Sequence, residues 1–172
     1  ASYHKFNEHK TVGEFRDKIR SGLRVALISD AGTPGISDPG FLLVRSCLED
    51  HLEVECLPGA TALIPALVNS GFPSDRFTFE GFLPQKKGRH KRLLELETES
   101  RTMIFYESPF RLTRFLAELA EVFTSNRRCC VSRELSKIHE ENVRGTIEEV
   151  RLYFEENPPR GEIVVVVEGK ST

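Results

Sequence analysis

The residues best placed for chemistry lie in the segment SDAGTPGISDPG, 29–40, which sets three glycines and two prolines in twelve residues directly after the apolar run RVALI. Gly32, Gly35 and Gly40 permit positive φ and close approach of backbone to a ligand, whereas Pro34 and Pro39 fix φ and remove donors. Such a loop is stiff without regular structure. In open α/β sheets ligands collect outside the carboxyl ends of strands, where Asp30 and Asp38 supply acceptors. Asp38 as N-cap and Pro39 at the first helical position account for the loop's end on structural grounds alone, but not for DAGTPG. A second chemistry-bearing run is QKKGRHKR, 85–92, with five Lys or Arg residues around a glycine. It reads either as a solvated loop and helix start or as a phosphate contact.

The chain has 172 residues, 39% of them apolar, enough for a sizeable core in one ordinary domain or two small ones. A formal net charge of -2 argues against coating nucleic acid by bulk electrostatics and leaves local patches as the route to it. No apolar run approaches the eighteen or so residues of a membrane span, and ASYHKFNEHK lacks the apolar stretch of a secretory signal, so a cytoplasmic location is expected. Cys47, Cys56, Cys129 and Cys130 have no C-x-x-C spacing, and the adjacent pair points to opposite faces of a strand, which predicts buried free thiols. With the five histidines scattered, no metal is expected.

The elements that must position these residues follow from pattern. Thr11 and Glu14 suggest a capping box for a helix over 11–21, with Val12, Phe15 and Ile19 on one face. A buried strand at 23–29, a helix at 39–49 and the strand LEVECL form a β-α-β unit, which implies a parallel sheet. LPGATALIPALVNSGFP, 57–73, turns at Pro58 and Gly59 into a short helix of small apolar residues that ends at Gly71, and the domain boundary is placed at its end. The domains expected are thus 1–73 and 74–172. The second is also α/β: strand RFTFEGFL, the basic segment leading into RLLELE, strand RTMIFYE, a helix begun by Ser108 and Pro109, strand RRCCVSREL, a polar corner at 136–144, a helix opened by the Thr146/Glu149 capping box, and EIVVVVE, a strand buried on both faces.

Taken in order, DAGTPGISDPG, LPGATALIPALVNSGFP, FEGFLPQKKG, IFYESPFR, SRELSKIHEE, GTIEEV and RGEIVVVVEG resemble the tetrapyrrole-methylase-like class of S-adenosylmethionine methyltransferases, and most closely the ribosomal-RNA small-subunit methyltransferase I family. The resemblance implies two α/β domains, the first with a parallel sheet and the second with a mixed one, S-adenosylmethionine bound between them, and methylation of a cytidine ribose 2'-hydroxyl in small-subunit (16S) rRNA by a homodimer. It assigns cofactor contacts to Asp30, Ala31, Gly32, Thr33, Pro34, Ile36, Ser37, Thr61 and Ala62, and in the second domain to Tyr106, Arg133, Gly161 and Glu162. The family pattern carries a glycine- and proline-containing strand and an acidic segment ahead of SYHKFNE, so the first sheet is expected to be truncated at its start. Phe110 stands where many relatives carry histidine.

Methyl transfer from a sulfonium to a hydroxyl is an in-line displacement that needs alignment more than a covalent nucleophile. Glu107 and Glu134, together with Asp30 and Asp38, are the carboxylates available as a general base. Lys86, Lys87, Arg89, Arg92 and Arg111 are the candidate RNA contacts, with Arg133 an alternative holder of phosphate or ribose. Tyr106, Phe110 and Phe82 are candidate stacking surfaces for an unpaired base. The alternatives are a tetrapyrrole or other small-molecule methylase of the same fold and a non-catalytic binding module.

Overall fold

The computed structural model describes residues 1–171, and these divide into two compact units, the first Ala1–Thr61 and the second from Ala62 onward. In the first unit helix α1 (Glu8–Arg20) packs against α2 (Phe41–Glu49). Tyr3 meets the Phe15 ring edge-on at 5.7 Å, and Arg16 pairs with Asp50 at 3.2 Å, tying one helix to the other's end. Leu43 and Cys47 form the buried stripe of α2.

Three features of this unit differ from expectation. Helix α1 starts a turn early, with Asn7 at its N-cap, and Thr11 lies inside it, donating its hydroxyl to the Asn7 carbonyl at 3.0 Å. Helix α2 is preceded by Gly40 at φ 149° rather than capped by Asp38. No strand forms at 23–29 or 52–57, so the expected parallel sheet is absent from this unit's described residues. Both stretches have no regular secondary structure and leave apolar side chains in the open, Ile28 being 85% exposed and Leu57 70%. Strand formation depends on side-chain packing against paired neighbours, and these segments have none within the unit.

The second unit is a mixed sheet with helices on both faces. Helix α3 (Leu63–Ser70) ends at Gly71, which takes the left-handed conformation at φ 73° that glycine adopts without a Cβ penalty. Next come β1 (Phe77–Phe82), α4 (Arg89–Leu96), β2 (Thr102–Glu107), a 3-10 turn at Pro109–Arg111 continuing into α5 (Leu112–Phe123), β3 (Arg128–Arg133), β4 (Glu141–Thr146), α6 (Ile147–Glu156) and β5 (Ile163–Val167). The strand order is β1-β2-β5-β3-β4, with β1 parallel to β2 and the other pairings antiparallel. β4 occupies part of what the sequence marks as a polar corner; its ENVRGT is an edge strand whose polar composition suits one partner rather than two.

All five residues of β5 are buried, as a run of valines with helices on both sides requires. Alternation distributes the strands over two cores. Met103, Phe105, Cys129, Val131, Val165 and Val167 face α4, α5 and α6, whereas Ile104, Cys130, Val164 and Val166 face α3. The adjacent cysteines therefore do point to opposite faces. Burial pushes the Cys129 thiol up to about 12, and Cys56 is exposed, against the expectation for it. The Thr146/Glu149 capping box forms in both directions at the start of α6. Between Phe79 and Gly81 the β1 register slips, with Gly81 at φ 58°, and the bulged Glu80 reaches Arg92 at 2.8 Å.

At the entry to β2, Glu99 accepts from the Arg101 guanidinium at 2.8 and 2.7 Å and from its amide at 2.9 Å, which together, the guanidinium most, lower its carboxyl to about 2 against an ordinary 4.5. A carboxylate depressed on folding contributes stability in full above its ordinary pKa and loses it as pH falls through the folded value. Chemical denaturation across this acid range is expected to show stability falling from about pH 4.5 towards 2, with a shallower fall for Glu99→Gln; identical slopes would contradict this.

Candidate functional site

In the first unit the glycine-proline loop is folded onto the second Pro-Gly corner. The Thr33 amide and hydroxyl both donate to the Ala60 carbonyl, at 3.0 and 3.2 Å. Gly32 sits at φ 74° where a Cβ would lie 3.1 Å from that carbonyl, so its lack of a side chain allows the two backbones to meet. Ser29 donates to the Ala31 and Gly32 carbonyls at 2.8 and 3.0 Å, closing the turn from behind. A Cβ on Gly40 would strike Leu27 at 2.9 Å. The internal wall of the loop is thus packed, and its outer side is open: Asp30, Ala31, Gly32, Ile36, Ser37 and Asp38 are exposed, and nothing lies within 4 Å of a Cβ built on Gly35. Ser37 is held at φ 64°, in the left-handed region. The structure brings Gly32 and Thr33 against Gly59 and Ala60, whereas Ala62 begins the second unit.

In the second unit strand direction gathers the other candidates. Phe82 pairs with Tyr106, Glu107 with Ile163, and Ile163 in turn with Arg133, which pairs with Glu141. The carboxyl ends of β1, β2 and β3 and the start of β5 therefore lie at one end of the sheet. Tyr106, half-buried, meets the rings of Phe79 and Phe82 edge-on at 5.0 and 5.6 Å. Phe110 is 94% exposed just beyond.

Glu107 is committed to its surroundings. Its side chain is 3% exposed; one oxygen accepts from the Ser108 amide at 2.7 Å and from Arg111 Nε at 3.0 Å, the other from Arg89 at 3.0 Å. Arg89 also donates to Glu118 at 2.6 Å and the Pro84 carbonyl at 3.4 Å, with its guanidinium 5.0 Å from the Phe115 ring. A general base needs a lone pair aimed at the proton it takes, and here both oxygens serve to anchor the chain around them. Arg89 is accordingly no surface cation, unlike its neighbours in the run. Arg92 is paired with Glu80 and Glu95 at 2.8 and 3.0 Å, and Arg111 is partly exposed above Glu107. Lys86 and Lys87 remain on the exposed loop.

Glu134, at φ 51°, follows β3 and is tied to the start of β5: its amide donates to the Glu162 carbonyl and its carboxylate accepts from the Glu162 amide, both at 2.9 Å. Lys137 donates to Glu134 at 2.9 Å and to Glu162 at 3.0 Å. The bond from Lys137, then that from the Glu162 amide, lowers the Glu134 pKa, which makes it a weaker base. Gly161 is at φ 85°, where a Cβ would overlap the Glu134 carboxylate at 2.2 Å. Arg133 donates from Nε to Glu141 at 2.8 Å, and Tyr153 donates to the other Glu141 oxygen at 2.5 Å; both lower the Glu141 pKa, the tyrosine bond more. Arg133, Glu134, His139, Arg160 and Gly161 line a recess of about 290 Å³. The sequence reading missed His139 and Arg160; the signal for Arg160 was the PPRG turn opening the last strand.

Residues 4–151 match the Tetrapyrrole (Corrin/Porphyrin) Methylases family. Proteins named ribosomal RNA small subunit methyltransferase I are 48% identical over 169 residues in Synechocystis sp. and 42% over 169 residues in Thermotoga maritima. The alignments take in 98% of this chain and 61% and 76% of those proteins, so the chain spans less than two thirds of the first of them. Among solved structures, the methyltransferase CobJ superposes with a TM-score of 0.69 at 22% identity, over 94% of this chain and 71% of that one. Uroporphyrin-III C-methyl transferase from Thermus thermophilus, complexed with S-adenyl homocysteine, superposes at 0.64 with 18% identity, over 96% and 75%. At these identities the superpositions speak to fold.

The burial pattern separates two kinds of cation within one basic run. Arg89→Met leaves one buried oxygen of Glu107 without its donor and takes from Glu118 one of its two cations, and is expected to cost ~3 kcal/mol, whereas Lys86→Glu on the exposed loop stays within about 0.5 kcal/mol. Urea unfolding midpoints measure both, and equal effects would contradict the assignment.

Proposed function

The chain belongs to the tetrapyrrole (corrin/porphyrin) methylase family, and we propose that it is, or is part of, an S-adenosylmethionine-dependent methyltransferase whose substrate is small-subunit rRNA. The observation that carries the reading is the loop 30–37 clamped through Thr33 on Ala60, with its inner side packed and its outer side open. The donor set there fits the methyl donor. Asp30 offers a carboxylate for an ammonium or ribose hydroxyls, the exposed backbone of 31–35 offers amides and carbonyls, Ser37 and Thr61 offer hydroxyls, and Pro34, Ile36 and Ala62 offer apolar surface. Tyr106, Arg133, Gly161 and Glu162 are the contacts proposed from the second unit. The relatives' names support rRNA as the substrate class, and the finer assignment, the 2'-hydroxyl of a cytidine, rests on the resemblance of the motifs.

When bound, S-adenosylmethionine supplies a methyl group on a positively charged sulfur, open to in-line attack by a hydroxyl oxygen. The chain's part is alignment. The loop holds its shape because its bonds are internal, so a reactant seated on it is oriented without further ordering. With Glu107 occupied by three donors and Glu134 held low by Lys137, neither is poised as base; the hydroxyl proton passes to solvent or to an exposed carboxylate such as Asp30 or Asp38. Lys86 and Lys87 are the proposed backbone contacts on the substrate side. The reading also includes cytoplasmic action and a homodimer, to which the exposed Ile64 and Val68 of α3 would contribute.

Incubating the protein with labelled S-adenosylmethionine and unmodified small ribosomal subunits, then digesting the RNA to nucleosides, is expected to yield 2'-O-methylcytidine. Lys86→Glu with Lys87→Glu is expected to lower that yield about tenfold or more through RNA affinity while leaving calorimetric cofactor affinity intact. Label on a tetrapyrrole and none on RNA would favour the small-molecule reading, and no uptake of S-adenosylmethionine would refute the enzyme reading altogether.

A further inference from the structure

The recess at the ends of β3 and β5 has an unusual charge arrangement. Three cationic or protonatable side chains, Arg133, His139 and Arg160, line it with one carboxylate, Glu134. Each acid around it is already engaged. Glu134 and Glu162 share Lys137, Glu140 accepts from the Ser136 amide at 2.7 Å and from Asn142 at 3.3 Å, and Glu141 accepts from Arg133 Nε and Tyr153. Among the described residues, Arg160 and His139 make no hydrogen bond or ion pair, and Arg133 uses only Nε, leaving its two terminal nitrogens for another partner. A concave site with satisfied acids and unsatisfied guanidinium donors is built for an anion, and guanidinium matches phosphate geometry in particular. Its volume lies at the lower edge of small-ligand sites, roughly 300 Å³ upward.

The position of the recess names the anion. β1, whose end launches the exposed Lys86 and Lys87, and β3, whose end carries Arg133, are three strand spacings apart at the same end of the sheet, roughly 14 Å at about 4.8 Å each. β2 and β5 lie between them, with the Tyr106 ring on the α3 face of the sheet beside Phe79 and Phe82. Two cationic seats along one end of a sheet form a charged track of the kind that the backbone of single-stranded nucleic acid follows. We propose that the His139–Arg160 side of this recess is a phosphate seat for single-stranded RNA lying across this end of the sheet, in addition to the Lys86–Lys87 loop, with Arg133, proposed above as a cofactor contact, bordering it. This rests on the rRNA-methylation reading and adds to it a second contact and a path for the strand.

Binding of a short oligocytidylate by the full chain, measured over a series of salt concentrations, tests the proposal. Each phosphate contact on a single strand contributes about 0.7 to the slope of log affinity against log salt. Arg160→Gln is expected to weaken binding about three- to tenfold at moderate salt and to reduce the slope by about 0.7, His139→Gln to act in the same direction, and Arg160→Gln with Lys86→Glu to show the sum of the separate losses, as independent seats require. Arg160 is exposed and unpartnered, so thermal unfolding of its variant is expected to match the parent. S-adenosylmethionine affinity, measured by calorimetry, is expected to be unchanged by Arg160→Gln. A variant that loses cofactor affinity with an unaltered salt slope assigns the recess to the cofactor's carboxylate and overturns the proposal, as does an unaltered slope with unaltered cofactor binding. A parent chain that takes up S-adenosylmethionine and shows no salt-dependent RNA binding overturns the rRNA reading and this inference together, whereas a silent Arg160→Gln against a parent that binds RNA overturns the inference alone.

Discussion

The candidates on β2 and β3 and in the loops that follow them owe their place to β5, which runs antiparallel to both of its neighbours and is buried along its whole length. Ile163 is opposite Glu107 on one side and Arg133 on the other, so the two loops that follow β2 and β3 must emerge at the end where β5 begins. The pairing is enforced by packing. Ile163, Val165 and Val167 fill one core, Val164 and Val166 the other, and a slip of one residue would exchange the two sets. Burying five branched side chains contributes on the order of 10 kcal/mol before conformational entropy is counted. Gly161 and Glu134 then lock together just outside the ladder, with the glycine's missing Cβ filled by the carboxylate.

That frame changes the meaning of residues that look alike in sequence. Within 85–92, Arg89 is drawn inward to Glu107 and Glu118 and stacks over Phe115, and the lysines before it stay outside. The buried pair is a fastening for the basic loop. A cation at this depth is tolerated because each of its three guanidinium nitrogens has an acceptor and an aromatic face lies below. Glu107 is likewise best read as the anchor that orients Arg89 and Arg111. Chemistry by alignment fits a site in which the inward carboxylates are already satisfied.

Much of the second unit was legible because its signals are local. Thr146 and Glu149 are three residues apart and cap the same turn, the valine run has one plausible burial, and adjacent cysteines on a strand must diverge. What escaped depends on distant partners. The segments 23–29 and 52–57 have strand composition, yet a strand exists only with a neighbour to pair. ENVRGT reads as a corner until β3 supplies a ladder for it. Arg89 reads as a surface charge because Glu107 and Glu118 lie 18 and 29 residues further on. In the candidate site, the glycines and prolines of 29–40 announced a loop with close approaches, and the structure adds that Ala60 is the group approached at Gly32. His139 carries no motif of its own, and its place beside Arg160 comes into view only when β3 and β5 are laid side by side.

The most direct test is a set of cross-strand proton contacts in solution by NMR, read at Ile163. The account requires Ile163 to show backbone contacts to both Glu107 and Arg133, with the amides of β5 among the slowest in the chain to exchange with solvent. Contacts displaced by a residue on either side, or β5 amides exchanging as fast as those of the loops, would contradict the arrangement from which the site and its chemistry are argued.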